Sequence, residues 1–132
     1  MSERFELGRQ IRTQVLGEEA VRRRLDEADA FNRDFQELVT EYCWGAGWGR
    51  TALSRRDRSL MNLGMLSALN RSEEFELHVG AALKNGVTAE ELQDALIQVA
   101  IYCGIPAGVE AFRIASRVLK AQARAAGKAG GP

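Results

Sequence analysis

The chain has 132 residues, 45% of them hydrophobic, and its 18 basic side chains balance its 18 acidic ones. This length and composition suit one folded domain over residues 1–132 and argue against a disordered chain. A net charge of zero argues against a general binding surface for nucleic acid or anionic membranes. The charged start Met-Ser-Glu-Arg lacks the apolar run of a signal peptide, and no stretch approaches the length of a membrane span, so we predict a cytoplasmic protein.

The placement of glycine and proline predicts an all-α fold, because glycines fall between periodic segments and neither proline lies inside one. The N-terminal helices are expected within residues 3–43, one over about 3–16 and a longer one over about 26–43. The side chains expected on one apolar face of the longer helix are Phe31, Phe35, Leu38, Val39 and Tyr42. The glycines between Trp44 and Arg50 predict a loop, since each costs a helix about 1 kcal/mol relative to alanine.

The core helices are expected within residues 54–121. Ser54 and Asp57 form a capping arrangement that should start the first of them, and its residues 60–69 are apolar nearly all round. The next helix should end at Asn85-Gly86, where glycine supplies a left-handed cap. Its inward stripe comprises Phe75, Val79, Ala82 and Leu83.

Thr88 and Glu91 form a capping box that opens a third core helix, whose residues 95–103 should be buried on most sides. The last helix begins near Pro106, and the tail at residues 122–132 is expected to fray. Its inward stripe comprises Phe112, Ala115, Val118 and Leu119. Two helices that are apolar on most sides need more neighbours than so small a domain supplies, so a homo-oligomer is predicted.

The only histidine of the chain, His78, lies on the apolar stripe of its helix, between Phe75 and Val79. Imidazole exchanges a proton near neutral pH, so a histidine half inside an apolar face is a candidate for acid–base chemistry. A core histidine hydrogen-bonded to a backbone carbonyl fits the same position equally well.

The two cysteines, Cys43 and Cys103, are far apart in sequence and form no Cys-x-x-Cys pair. With a single histidine in the chain, this spacing predicts neither a zinc site nor a thioredoxin-like redox pair. Two buried thiols are the expectation.

Four segments, residues 41–50, 53–60, 78–92 and 102–113, resemble the carboxymuconolactone decarboxylase and alkylhydroperoxidase D-like superfamily. The resemblance covers nearly the whole chain and implies an all-α fold assembled as a homotrimer or homohexamer. It also implies decarboxylation of 4-carboxymuconolactone to 4-oxoadipate enol-lactone, in the protocatechuate branch of the β-ketoadipate pathway, without metal or organic cofactor.

This reaction assigns roles to residue types. Arginine binds a carboxylate bidentately and stays charged when desolvated, so Arg50 and Arg58 are candidates to hold the acetate arm of the substrate, unless they form ion pairs with Asp57 or Glu41. Trp44 and Trp48 are candidates to desolvate the departing carboxylate, although either can simply pack its loop onto the core.

His78 is the candidate general acid, or a donor to the developing oxyanion, and Glu41 is the candidate to orient it or relay the proton. A plain surface carboxylate remains open for Glu41. Tyr102 is a candidate hydroxyl donor to the substrate, and a core tyrosine is the alternative.

Two other functions remain open at this point. One is a thiol-dependent peroxidase or disulfide reductase of the same superfamily, which needs a nucleophilic and a resolving cysteine close together. The other is a non-catalytic oligomer that binds a metabolite.

Overall fold

All the regular structure that the computed structural model describes, over residues 2–130, is helical. The helices are α1 Glu3–Leu16, α2 Glu18–Asp26, α3 Arg33–Val39, a π segment Thr40–Gly47, α4 Arg55–Ala68, α5 Ser72–Lys84, α6 Ala89–Cys103 and α7 Ile105–Gly130. The all-α prediction is therefore confirmed. In this described part of the chain, no helix is both long and apolar enough to cross a membrane.

The chain divides into two compact units, residues 1–58 and 59–132, with the division inside α4. The single domain predicted over residues 1–132 stays a prediction. The first unit is built on α1, which starts where Ser2 Oγ accepts the Phe5 amide at 3.0 Å. Helix α1 buries Phe5, Ile11 and Val15, and it packs closely along the π segment.

The predicted helix over residues 26–43 is wrong, because α2 ends at Asp26 and α3 begins only at Arg33. Between them, Asp29 Oδ1 accepts the amides of Phe31 and Asn32, and Asn32 Oδ1 accepts the Asp29 amide at 2.9 Å. Such bonds compete with helical hydrogen bonds and hold the chain in a turn.

The apolar face predicted for that helix is not buried within the first unit. Its exposed members are Phe31, Phe35, Leu38 and Tyr42, whereas Val39 is half-buried. Phe31 precedes α3 and Tyr42 lies in the π segment, so the five side chains do not lie on one regular α-helix.

The predicted loop after Cys43 is also wrong at its start, because the π segment continues through Trp44 to Gly47. The Trp48 amide donates to the Cys43 carbonyl at 2.9 Å, the five-residue step of a π-helix. Glycine is required there for a different reason than loop formation. A Cβ atom on Gly45 would lie 2.6 Å from the Arg4 carbonyl oxygen, so only glycine lets α1 approach.

The second unit has one core, formed where α4, α5, α6 and α7 meet. Its most deeply buried large side chains include Leu63, Leu92, Leu96, Ile114 and Val79. The stripe predicted for α5 is confirmed, since Phe75, Val79 and Ala82 are buried and Leu83 packs against the core. The stripe predicted for α7 is also confirmed, with Ala115 buried and Phe112, Val118 and Leu119 packed on the core.

The capping residues at the helix ends agree with the predicted helix boundaries. Ser54 Oγ accepts the Asp57 amide at 3.0 Å just before α4, and Gly86 has a φ of +103° just after α5. Thr88 and Glu91 exchange both bonds of the capping box, at 3.1 and 3.0 Å. These signals are local in sequence, so the rest of the fold does not override them.

Within this single chain, residues 95–103 of α6 are not buried on most sides, because Ile97, Ile101 and Tyr102 are exposed. The predicted burial includes burial against another subunit, so it stays a prediction. Helix α7 extends through the predicted tail to Gly130, and alanine, which fills much of this stretch, has the highest helix propensity, so fraying of the tail also stays a prediction. Residues 131 and 132 of the predicted tail lie outside the described residues.

Helix α4 also carries exposed apolar side chains, Met61 and Met65, and Leu69 just after it is exposed as well. Helix α4 is therefore not surrounded within the second unit, although residues 60–69 are apolar nearly all round. Such a surface is what the predicted homo-oligomer requires, and the oligomer itself stays a prediction.

Candidate active site

His78 lies in the interior of the second unit. Helix α5 places it beside the buried Phe75 and Val79, its side chain is 9% exposed, and its Nδ1 atom is buried. The predicted position on the inward stripe is confirmed. A small cavity of about 20 Å³ at Ser72 and Phe75 of the same helix does not include His78. The imidazole is thus shielded from bulk water, as a proton donor in an apolar site would be.

Trp44 and Trp48 form a stacked pair in the first unit. Their ring centroids are 4.8 Å apart, their planes differ by 23°, and they are only 4% and 8% exposed. The π segment and the turn after it bring the two rings onto one side of the backbone. The pair is therefore a packed apolar cluster that exposes little of its own surface, and the desolvating role of these residues stays a prediction.

The structure brings Arg50 and Arg58 together, although the contact is not between charges. One Arg58 Nη atom donates to the Arg50 carbonyl at 3.1 Å, so the start of α4 is tied to the end of the tryptophan segment. The Arg58 Nε atom is buried and has no hydrogen-bond partner within the described residues. Within the described residues neither arginine pairs with Asp57 or Glu41, since Asp57 contacts Arg56 at 3.5 Å and Glu41 accepts from Ser2; an ion pair with another subunit stays open.

Arg50 lines an open groove of about 550 Å³ in the first unit. The groove is also lined by Glu3, Arg4, Leu7, Gly45, Ala46 and Gly49. Neither Arg4 nor Arg50 has a side-chain hydrogen bond or ion pair within the described residues. Two uncommitted guanidinium groups in a cavity of this size suit a small dicarboxylate.

Arg4 is a candidate that the sequence analysis missed. In the sequence it stands between Glu3 and Glu6 at the start of an amphipathic helix, a pattern typical of a solvated first turn. Its position beside Gly45 depends on the packing of α1 along the π segment, and no local signal indicates it.

The other two predicted residues are placed differently from expectation. Glu41 is half-buried, and its carboxylate accepts from the Ser2 hydroxyl at 3.1 Å within the first unit. Tyr102 is 80% exposed on α6, so the reading of a core tyrosine is wrong, and its hydroxyl is open to a ligand or a partner.

Arg12 is a second residue that the sequence analysis missed. This α1 side chain is only 4% exposed, and its Nη1 atom donates to Gln36 Oε1 and Thr40 Oγ1, both at 3.2 Å. Desolvation, together with the nearby positive charge of Arg24, lowers the pKa of Arg12. No acidic side chain pairs with it in the described part of the chain.

The cysteines are exposed, so the prediction of two buried thiols is wrong. Cys43 lies beside the exposed Tyr42 on the π segment, and Cys103 ends α6 beside the exposed Tyr102. Desolvation by the surrounding protein nevertheless raises the pKa of the Cys43 thiol, against a smaller opposing effect of the Arg12 charge. A raised thiol pKa is the reverse of what a nucleophilic cysteine needs.

Metal ligands are not clustered in the described residues: no three histidine, cysteine, aspartate or glutamate side chains lie close enough there to hold an ion. The residues that offer ligand contacts are instead the arginines of the groove and the imidazole of α5. Cationic and proton-donating groups of this kind suit an anionic substrate rather than a cation.

Comparison with known proteins gives consistent similarities. The sequence profile described as "Carboxymuconolactone decarboxylase family" matches residues 33–117. The chain is 39% identical to a 4-carboxymuconolactone decarboxylase from Acinetobacter baylyi over 118 residues, which are 89% of this chain and 88% of that protein. It is also 39% identical to a nitrosuccinic acid decarboxylase from Metarhizium robertsii over 115 residues, covering 87% and 80% of the two chains.

Proposed function

The chain belongs to the carboxymuconolactone decarboxylase family and is a carboxy-lyase, and we propose that its substrate is 4-carboxymuconolactone. The product is 4-oxoadipate enol-lactone, which places the reaction in the protocatechuate branch of the β-ketoadipate pathway. The observation that carries this proposal is the 39% identity to a 4-carboxymuconolactone decarboxylase over 89% of the chain.

The substrate supplies its own electron sink. When the carbon–carbon bond to the departing carboxylate breaks, carbon dioxide leaves and the electron pair passes into the ring, where the conjugated lactone carbonyl takes it as a dienolate. A proton then adds to the carbon next to that carbonyl. The protein has to bind the dianion, stabilise the charge that grows on the lactone oxygen and return one proton.

Arg50 suits the binding step because it lines the groove and its side chain has no other partner within the described residues. It holds the acetate carboxylate rather than the departing one. A tight ion pair on the departing carboxylate would stabilise the ground state and slow the reaction. Arg58 contributes through its bond to the Arg50 carbonyl, which fixes the backbone that carries Arg50.

The stacked tryptophans are proposed to desolvate the departing carboxylate, which should not be held by an ion pair. An apolar surface beside the departing carboxylate disfavours its charge and favours neutral carbon dioxide. Trp44 and Trp48 are held face to face and largely out of water, so such a surface would not need to reorganise during the reaction.

His78 suits the return of the proton, with Glu41 and Tyr102 as candidates to assist it. A largely buried imidazole keeps its ring proton away from bulk water, so that proton can be passed to the substrate rather than lost to solvent. We expect no metal or organic cofactor, because the lactone itself accepts the electrons.

A second candidate substrate is nitrosuccinic acid, favoured by the equal identity to a nitrosuccinic acid decarboxylase. The two substrates share one carbon that bears the departing carboxylate and an acetate arm. In nitrosuccinic acid the nitro group takes the electron pair in place of the lactone. The same two protein functions, an arginine that binds the acetate arm and a group that returns the proton, serve both reactions.

The thiol-dependent alternative is less well supported. It requires a reactive cysteine thiolate, and the raised pKa of Cys43 lowers the thiolate fraction at neutral pH.

The test is carbon dioxide release by the purified protein from each substrate separately, with a metal chelator present. Turnover of 4-carboxymuconolactone well above that of nitrosuccinic acid supports the first candidate, and the reverse order supports the second. His78→Ala should lower kcat about a hundredfold or more while the circular dichroism spectrum is retained. Near-normal turnover by that variant would remove His78 from the mechanism.

We also propose a homotrimer or homohexamer, supported by the exposed apolar side chains of α4 and α6. Sedimentation equilibrium over a range of concentrations measures the number of subunits, and a monomer at all of them would contradict the proposal.

A further inference from the structure

The buried cation Arg12 of α1 contacts the point at Thr40 where α3 changes into the π segment, and nothing in the proposed chemistry uses it. A guanidinium that is 4% exposed and lacks an acidic partner in the described residues costs folding free energy, because burial disfavours its charge. Such a cost is retained where the residue holds a particular arrangement in place.

The arrangement that Arg12 holds is the junction at Thr40. Thr40 is fully buried and is the first residue of the π segment, and its hydroxyl donates to the Gln36 carbonyl at 2.7 Å. The same hydroxyl oxygen accepts from Arg12, whose Nη1 atom also reaches Gln36 Oε1. Arg12 therefore joins α1 to the last turn of α3 and to the start of the π segment.

The backbone around this junction is fitted closely as well. A Cβ atom on Gly8 of α1 would lie 1.9 Å from the Thr40 carbonyl oxygen. The carbonyl and the hydroxyl of Thr40 are thus both fixed by α1, one by the Gly8 contact and the other by Arg12. These contacts lie where the hydrogen-bond pattern changes from that of an α-helix to that of a π-helix.

The residue at which α-helical hydrogen bonding changes to π-helical hydrogen bonding determines the directions of the Trp44 and Trp48 side chains. Each residue of an α-helix turns the chain by about 100°, so a change of pattern that slipped by one residue would rotate Trp44 and Trp48 away from their present faces. We infer that Arg12 is a positioning residue: through Thr40 it fixes the register of the π segment and so holds the stacked tryptophan pair. Its importance for catalysis rests on the role of that pair in the proposed decarboxylation.

Thr40→Val tests the inference with little change of shape, because it removes the hydroxyl that Arg12 binds. Thr13→Val is the matched control, since the Thr13 hydroxyl makes the same local bond, to the Arg9 carbonyl at 2.7 Å, without contacting Arg12. Arg12→Met removes the donor, and Arg12→Lys retains one cationic donor for Thr40.

The first readout is the exciton couplet that two stacked indoles give in circular dichroism, which is specific here because the chain has only two tryptophans. We expect Thr40→Val and Arg12→Met to lose at least about half of the couplet, and Thr13→Val and Arg12→Lys to keep most of it. The second readout is kcat, expected to fall about tenfold or more in the same two variants with KM changed far less.

A couplet unchanged in Thr40→Val would overturn the inference, even if the variant is less stable to urea. If Arg12→Met does not fold, Thr40→Val and its control decide the question alone. The couplet needs no substrate, so it separates a failure of this inference from a failure of the proposed function. Absence of decarboxylation in the wild-type protein would contradict only the latter.

Discussion

Replacing Gly8 by alanine should destabilise the protein, although alanine is the better helix former. In an exposed helix interior the substitution gains about 0.5 to 1 kcal/mol. The new Cβ of Gly8→Ala, however, would meet the Thr40 carbonyl oxygen at 1.9 Å, whereas ordinary contact begins at 3.4 Å. The two backbones must separate by about 1.5 Å, the difference between these distances, because neither partner is a flexible side chain.

Overpacking of this kind costs about 1 to 3 kcal/mol, and backbone contacts lie at the upper end. We therefore expect Gly8→Ala to lower the free energy of unfolding by about 2 kcal/mol after the gain in helix propensity. Urea denaturation measures this free energy. If the free energy of unfolding falls by about 2 kcal/mol per molar urea, the midpoint of unfolding should fall by about 1 M.

Gly47→Ala is the control within the same unit, because its new Cβ would lie 3.8 Å from the Tyr42 carbonyl oxygen, an ordinary contact. Its midpoint should stay within about 0.5 M of the wild-type value. If Gly8→Ala unfolds at the same urea concentration as Gly47→Ala, the close approach of α1 to the π segment is not part of the folded protein.

Four further predictions concern the groove, the cysteines and one helix end. Arg50→Lys should raise KM about tenfold with kcat changed about twofold or less, because lysine cannot bind a carboxylate bidentately, and unchanged steady-state constants would refute the carboxylate role. A protein with Cys43→Ser and Cys103→Ser should still release carbon dioxide, and loss of that activity would favour the thiol mechanism. Iodoacetamide should modify Cys43 more slowly at pH 7 than it modifies a small free thiol, because the raised pKa keeps the Cys43 thiol protonated at neutral pH. The rate should increase as the pH rises. Faster modification of Cys43 than of the free thiol at pH 7 would contradict the raised pKa. Thr88→Ala should cost about 1 kcal/mol in urea denaturation, and no loss would show that the capping box is not needed.

Sequence signals predicted the second unit better than the first because they act over short distances. The capping box at Thr88 and the left-handed glycine at Gly86 each depend on neighbours within about four residues. The α5 stripe likewise needs only helical spacing, and it placed His78 correctly in the interior. Helical spacing does not show whether an apolar face packs against this chain or against another one. It therefore did not show that Ile101 and Tyr102 of α6 are exposed in the single chain.

The first unit depends on residues about thirty positions apart. The glycine-rich stretch after Cys43 reads as a loop until Gly8 and Arg12 of α1 are known to hold Thr40. The groove has the same origin, since Arg4 meets Gly45 only through this packing. Arg50 and the tryptophans were predicted because their residue types suit the chemistry, and their assembly into one active site stays a prediction.

The shielded imidazole of His78 on α5 can also be observed directly by NMR. Because the chain contains a single histidine, a proton NMR spectrum holds one pair of imidazole ring resonances, and these need no assignment. Their chemical shifts report the charge on the ring, so a titration with an unreactive dicarboxylate would show in one series of spectra whether a bound anion changes the charge of His78.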